Sequence, residues 1–432
     1  MENAIKMSNR ISHSSMKISK RALLYFLTMM VMLRPTNPAL QALFGSTLGE
    51  LINVALKAGD YILIACVLVY AILFRLTSKN RVFTIQAWFT CVFLMVLIIS
   101  TARNGSMASF RTYYEYLGNI FTILYLYQKA RTDPHRFVTF LQGIAFFLTF
   151  SMLLNSLSIY IYYPNGMYVL DDGVSGNNNY YLYSLDNVGF IISLCSFAIH
   201  AVYDQILNKK IKRCTILLYI FIFAAYFYCR AATAILVTII LLAALILYKF
   251  GRLRGMDYKW TLIICIVSFA VIISIQSFSL FDSIFALLGK NTLLGGRLRI
   301  WDAAFKGWLD NLWIGIGIDS SVTSSILYQH GFVTNGWGEY IGHAHNVVFE
   351  ILLKSGLIGS VCFIGQLFVC YKEMMQYHKS RIAQFLCLMF LLFWITSLLD
   401  YRIEQISGWI LFMLLNDIKL LDCSVRGVGN EW

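Results

Sequence analysis

Apolar residues in this chain come in long unbroken runs separated by short polar, mostly basic stretches, not in the alternation of a half-buried strand. Runs at 51–74, 82–101, 137–161, 187–207, 214–229, 231–248, 260–281, 346–371 and 382–400 are long and apolar enough, or nearly so, to cross a ~30 Å hydrocarbon core as helices. Weaker runs at 21–34, 111–127 and 404–420 bring the expectation to about twelve spans. The first run follows a basic flank but precedes no small-residue cleavage site after Leu33, so it reads as a retained helix. The pattern predicts an all-α polytopic membrane protein, one integral membrane domain over residues 1–432.

Two polar stretches interrupt this regularity. The first, about 162–186, is rich in Tyr, Asn, Gly and Asp, a composition that suits sugar stacking and an interfacial aromatic belt equally. The second, 282–345, is the longest polar stretch, and loops of that length are functional or disordered. Within it Leu298, Trp301, Phe305, Trp308 and Leu312 recur at helical spacing, while Arg299, Asp302, Lys306 and Asp310 share another face. That predicts an amphipathic helix near 297–312 lying in the membrane interface. It follows Gly295 and Gly296 directly, so the free N–H groups and the positive dipole end coincide with Arg297 and Arg299. A diphosphate would bind there. Arginines that snorkel to lipid headgroups would look the same.

Composition fixes the compartment and charge fixes the orientation. Hydrophobic residues make up 59% of the 432 and charged residues 13%, against about 25% charged in soluble domains, and mean hydropathy is +0.67. About two thirds of the 35 Lys and Arg fall in alternate loops, from Lys6–Arg21 through Lys209–Arg213 to Lys419 and Arg426. Both termini are therefore expected in the cytoplasm, and 282–345 outside. The +13 net charge is a topology signal and gives no reason to expect nucleic acid. Most of the ten cysteines lie inside apolar runs as small core residues, and no Cys-x-x-Cys occurs.

Candidate chemistry gathers where the external loop turns into the run at 346–371. His345 lies at a helix mouth, and Asn346, Glu350 and Lys354 continue at i, i+4 and i+8 as one polar stripe. Glu350 preceding Lys354 by four is the favourable order for an ion pair, so Glu350 reads as structural. An imidazole that titrates near neutrality can take a proton from a sugar hydroxyl. His343 is the rival base. A metal is not expected, because His-x-His with no further nearby His or Cys supplies too few ligands.

His345-Asn346, nine residues, then Gly356-Leu357-Ile358-Gly359 resembles the signature of the O-antigen ligase and polysaccharide polymerase family. Further matches are Gly296-Arg297-Leu298-Arg299-Ile300-Trp301, Gly315-Ile316-Gly317, Arg230 followed by Ala231 and Ala232, and Asn187 at the opening of an earlier helix. The proline that usually precedes the Gly-x-Gly turn is replaced by Leu312 or Trp313. The resemblance covers roughly 186–360 and implies a multi-helix fold like the C-type membrane glycosyltransferases. It implies transfer of glycan from undecaprenyl diphosphate to an acceptor sugar, with inversion and without metal or cofactor. In that reading His345 is the base, and Arg230, Arg297 and Arg299 bind the diphosphate. Trp301, Asn346, Glu350, Gly356, Gly359 and Asn187 support them. Partners would be the lipid-linked oligosaccharide, membrane lipids, a flippase and a chain-length regulator. A polymerase, a ligase acting on lipid A-core and a flippase for the same lipid all remain open, although a flippase should carry internal repeats and mid-membrane charges.

Overall fold

The computed structural model describes residues 19–77, 83–105, 107–169, 179–180, 182–183, 187–229, 231–249, 258–274, 297–332, 341–401 and 405–426. The chain is an all-α membrane protein. In order the helices are α1 (Lys20–Met32), α2 (Asn37–Phe44), α3 (Ser46–Thr77), α4 (Ile85–Asn104), α5 (Met107–Ala130) and α6 (Pro134–Tyr162), followed by α7 (Asn187–Asn208), α8 (Arg213–Tyr228), α9 (Ala232–Lys249) and α10 (Tyr258–Ser274). Then come α11 (Arg297–Asp310), α12 (Ser320–Gln329), α13 (Val347–Gln376), α14 (Arg381–Ser397), α15 (Ile406–Asn416) and α16 (Ile418–Arg426). The described strands are a two-residue antiparallel pair in which Tyr168 faces Tyr180.

Every apolar run read from the sequence carries a helix. Five of them, 46–73, 85–104, 134–162, 188–208 and 347–376, are by themselves long and apolar enough to cross a membrane. Five more, α8, α10, α14, α15 and the 233–246 part of α9, are apolar but only 10–17 residues long. The last run, 404–420, is not one helix. It stops at Asn416, and α16 begins after Asp417, whose carboxylate takes a bidentate grip from Arg131 at the end of α5. Helix starts follow local capping chemistry: Ser19, Thr84 and Asp133 each accept a hydrogen bond from the backbone N–H three residues on.

Packing separates a centre from a rim. Inside the molecule lies 89% of the apolar stretch of α7 but only 17% of that of α3, so α3 is the lipid-facing element and α7 the hub. Around α7 pack α6, α14 and α15, and α13 lies against α4 and α15. A second, smaller core lies within the long polar stretch: Ile300, Trp301, Ala303 and Ala304 of α11 meet Ile316, Leu327 of α12, Phe332, Ile341, Ala344 and Leu353 of α13. The described parts of the large loop, 297–332 and 341–345, thus form a cap with its own interior, including a helix, α12, that the hydropathy pattern does not announce.

Candidate active site

The amphipathic helix at 297–312 is present as α11, Arg297–Asp310, but turned from the expected face. Its buried side is Ile300, Trp301, Ala303, Ala304 and Gly307, while Phe305 points outward. Small residues win this face because α12 and α13 pack closely on it. Arg297 opens the helix and is half-buried, whereas Arg299 is exposed, like the neighbouring Asp302–Lys306 ion pair at 2.6 Å. Arg230 lies outside the described residues. Asn187 is the first residue of α7.

Below α11 the polar stripe of α13 is built as a set of braces. Asn346 caps α13 through Oδ1, which accepts from the N–H groups of Val348 and Phe349 at 2.9 and 3.4 Å. Its Nδ2 donates to the Leu398 carbonyl at 2.9 Å, so the start of α13 is tied to the segment after α14. Glu350 and Lys354 form the expected pair, Oε1 to Nζ at 2.7 Å, both side chains buried. The other Glu350 oxygen accepts from the Ala344 N–H at 2.6 Å, a bond the spacing alone did not suggest. On the opposite side the Trp301 indole N–H donates to the Ala344 carbonyl at 3.0 Å.

This bracing presents His345 in an unusual conformation. Its φ is +54°, a region L-residues occupy only at a cost, and such strain persists where the surroundings over-determine it. In this position Nδ1 stands 3.2 Å from Oδ1 of Asp400. His343 reaches the same oxygen with Nε2 at 3.6 Å, and the two imidazole rings lie 3.8 Å apart, centroid to centroid. Burial would raise the Asp400 pKa, but the His343 and His345 imidazoles outweigh it by hydrogen bonding and charge, holding the carboxyl well below the usual carboxylate range.

Asp400 is the site residue that sequence reading missed. It closes the run 382–400, but α14 ends at Ser397, which releases Asp400 into the turn beside the histidines. An acidic residue at the expected external end of an apolar run was the available signal. It also removes the argument against a metal, since His343, His345 and Asp400 offer one donor atom each, all within 4.8 Å of one another. Ligand atoms around a tetrahedral zinc sit about 3.3 Å apart, so the spread fits a hydrogen-bonded group better than a closed coordination shell. Asp319, a residue that could otherwise compete for this role, is spent on capping α12.

The glycines of the motif act differently from each other. At Gly359 an added Cβ would meet Phe93 of α4 only at ordinary contact distance, 3.5 Å, and would collide instead with the Ser355 side chain one turn earlier on α13, at 2.3 Å. Gly356 instead breaks α13, with φ +62° and ψ −163°. Across the break Leu353 and Lys354 carbonyls accept from the N–H groups of Ile316 and Gly317 at 2.9 Å each, while Leu357 and Ile358 donate to the Leu312 and Trp313 carbonyls at 2.8 and 3.0 Å. The backbone groups freed by the interruption are therefore satisfied by the 312–317 segment, as a buried break requires. Leu312 and Trp313 contribute their carbonyls to this set. Ser100 of α4 locks the turn from the far side by donating to the Gly315 carbonyl at 2.6 Å.

A search of curated proteins found no match. Residues 215–364 match the family model described as O-antigen ligase, a segment running from α8 through the cap to the broken part of α13. Over that segment the chain is similar to the O-antigen ligase family, in keeping with the resemblance carried by the His345 motif.

Proposed function

We propose that this protein is a polysaccharide polymerase of the plasma (inner) membrane. It transfers glycan from undecaprenyl diphosphate onto a sugar hydroxyl of another lipid-linked repeat unit. The observation that carries the reading is the His345–Asp400 contact at 3.2 Å, at the mouth of α13 and beneath a folded cap. A carboxylate on Nδ1 fixes the tautomer that leaves Nε2 free to accept a proton, which is the arrangement a general base needs. His345 takes the proton of the acceptor hydroxyl as its oxygen attacks the anomeric carbon, and the lipid diphosphate leaves from the opposite side, inverting the configuration. Arg230, Arg297 and Arg299 neutralise the departing diphosphate, so the reaction needs no metal. In this reading the chain has about twelve spans with both termini cytoplasmic, as the distribution of Lys and Arg suggests, and the site faces outward.

A ligase that hands finished polymer to lipid A-core is the second reading, favoured by the description of the matching family. Both jobs need the same base and diphosphate site, and they differ in the acceptor. The purified protein should extend a lipid-linked repeat unit given only lipid-linked units, and EDTA should leave the rate unchanged. Product on lipid A-core alone would make it a ligase. Loss of activity with EDTA, restored by a divalent ion, would move the chemistry to a metal held by His343, His345 and Asp400. Reporter fusions should show Lys379 on the cytoplasmic side and Gly336 outside, and the opposite result would put the base on the wrong face.

The arginines make a separate expectation. A diphosphate is gripped by a planar fork that lysine cannot reproduce, whereas a snorkelling arginine needs only charge on a flexible stem. Arg230→Lys and Arg297→Lys should each lose most transfer at unchanged protein level. Arg299→Lys, on the exposed face of α11, should be milder. Full activity in the first two would remove the diphosphate site from the cap.

A further inference from the structure

We propose that Trp301 and Glu350 form a clamp on Ala344 that fixes His345 relative to α11, making both of them positioning residues for the transfer. The inference rests on the reading of His345 as the base. Ala344 is fully buried between the two histidines, and both its backbone polar groups are held by side chains: its N–H by Glu350 Oε2 at 2.6 Å, its carbonyl by the Trp301 indole at 3.0 Å. The two bonds fix the two successive peptide planes that meet at Ala344, and the second of those planes leads into His345, held at φ +54°. Left ungripped, that residue would relax toward negative φ and carry its imidazole away from Asp400.

The clamp also joins the two halves of the reaction. Trp301 lies four residues after Arg297 on α11, so about 6 Å of helix separates the indole that holds the base segment from the residue that opens the helix. The indole ring is itself fixed, stacked on Phe349 of α13 with centroids 5.7 Å apart. Glu350 in turn is aimed by Lys354, which occupies the first oxygen and leaves the second for Ala344. The tryptophan of the Gly-Arg-x-x-x-Trp motif and the glutamate four residues after the Asn346 cap thereby act on a single residue, Ala344, one on each of its flanking peptide planes. Loss of either should disturb the placement of the base more than the binding of substrate.

Steady-state transfer by the full-length protein in membranes tests this. Trp301→Phe keeps an aromatic ring beside Phe349 but loses the N–H together with part of the indole, and it should lower kcat about ten-fold with KM little changed. Glu350→Gln with Lys354→Met keeps an acceptor for Ala344 without leaving a buried unpaired charge, and it should retain activity. Glu350→Leu with Lys354→Met removes the acceptor and should lose kcat like Trp301→Phe. If Trp301→Phe and the Leu/Met pair both keep kcat while His345→Ala is inactive, the clamp is overturned and the base stands. A rise in KM with kcat unchanged in Trp301→Phe would also overturn it, because the indole would then serve binding. Activity in His345→Ala would remove the base reading itself, before the clamp is judged.

Discussion

Alanine in place of His345 will lower glycan transfer by about 10²–10⁴-fold, the usual contribution of a general base, while the protein still inserts and folds. The side chain is only 14% exposed, but it packs at the mouth of α13 and caps nothing. The helix start is held by Asn346 and the preceding peptide by Trp301 and Glu350. Asp400→Asn should fall between wild type and His345→Ala, because the amide keeps the volume but no longer supplies the charge that orients and stabilises the imidazolium. His343→Ala should be the mildest of the three, since its Nε2 stands 3.6 Å from Asp400, beyond good hydrogen-bond length. The readout is polymer length and initial rate at matched protein level. Wild-type polymer from His345→Ala would sink the assignment, and an inactive His343→Ala beside an active His345→Ala would move the base two residues upstream.

How much of this was legible in the sequence depends on the range of the interaction. Helix positions came from local hydropathy, which a bilayer makes reliable because spanning segments must satisfy their own backbone. The Glu350–Lys354 pair was legible because i and i+4 share a helix face. Asp400 was not, since 55 residues separate it from His345 and only the end of α14 at Ser397 brings the two together. The face of α11 was misjudged for a related reason. Counting large apolar residues selects Phe305, yet close packing against α12 and α13 selects Ala303, Ala304 and Gly307. Gly356 reads as a helix-packing residue by composition alone, and its break of α13 emerges only with the partner segment at 312–317 in place.

That break carries the largest expected effect on stability. A Cβ at Gly356 would stand 2.5 Å from the backbone of Trp313, Ile314 and Gly315, and backbone, unlike the tip of a side chain, cannot swing aside. The alanine variant would also bear about 1–3 kcal/mol for a backbone at φ +62° and ψ −163°, a region essentially reserved for glycine. Relief of the collision would part the two segments and strain the four backbone hydrogen bonds across the break, each contributing about 0.5–1.5 kcal/mol. Gly356→Ala should therefore cost on the order of 4–5 kcal/mol, enough to remove most of the folded protein from the membrane. Gly331→Ala supplies the control, because Gly331 has φ +86° with nothing within 4 Å of the added methyl and should cost only the conformational term. Thermal unfolding in detergent and protein level in membranes measure both. If the two variants unfold at the same temperature, the interlock between the cap and α13 contributes nothing beyond backbone strain, and the cap must be held over His345 by the α11 contacts alone.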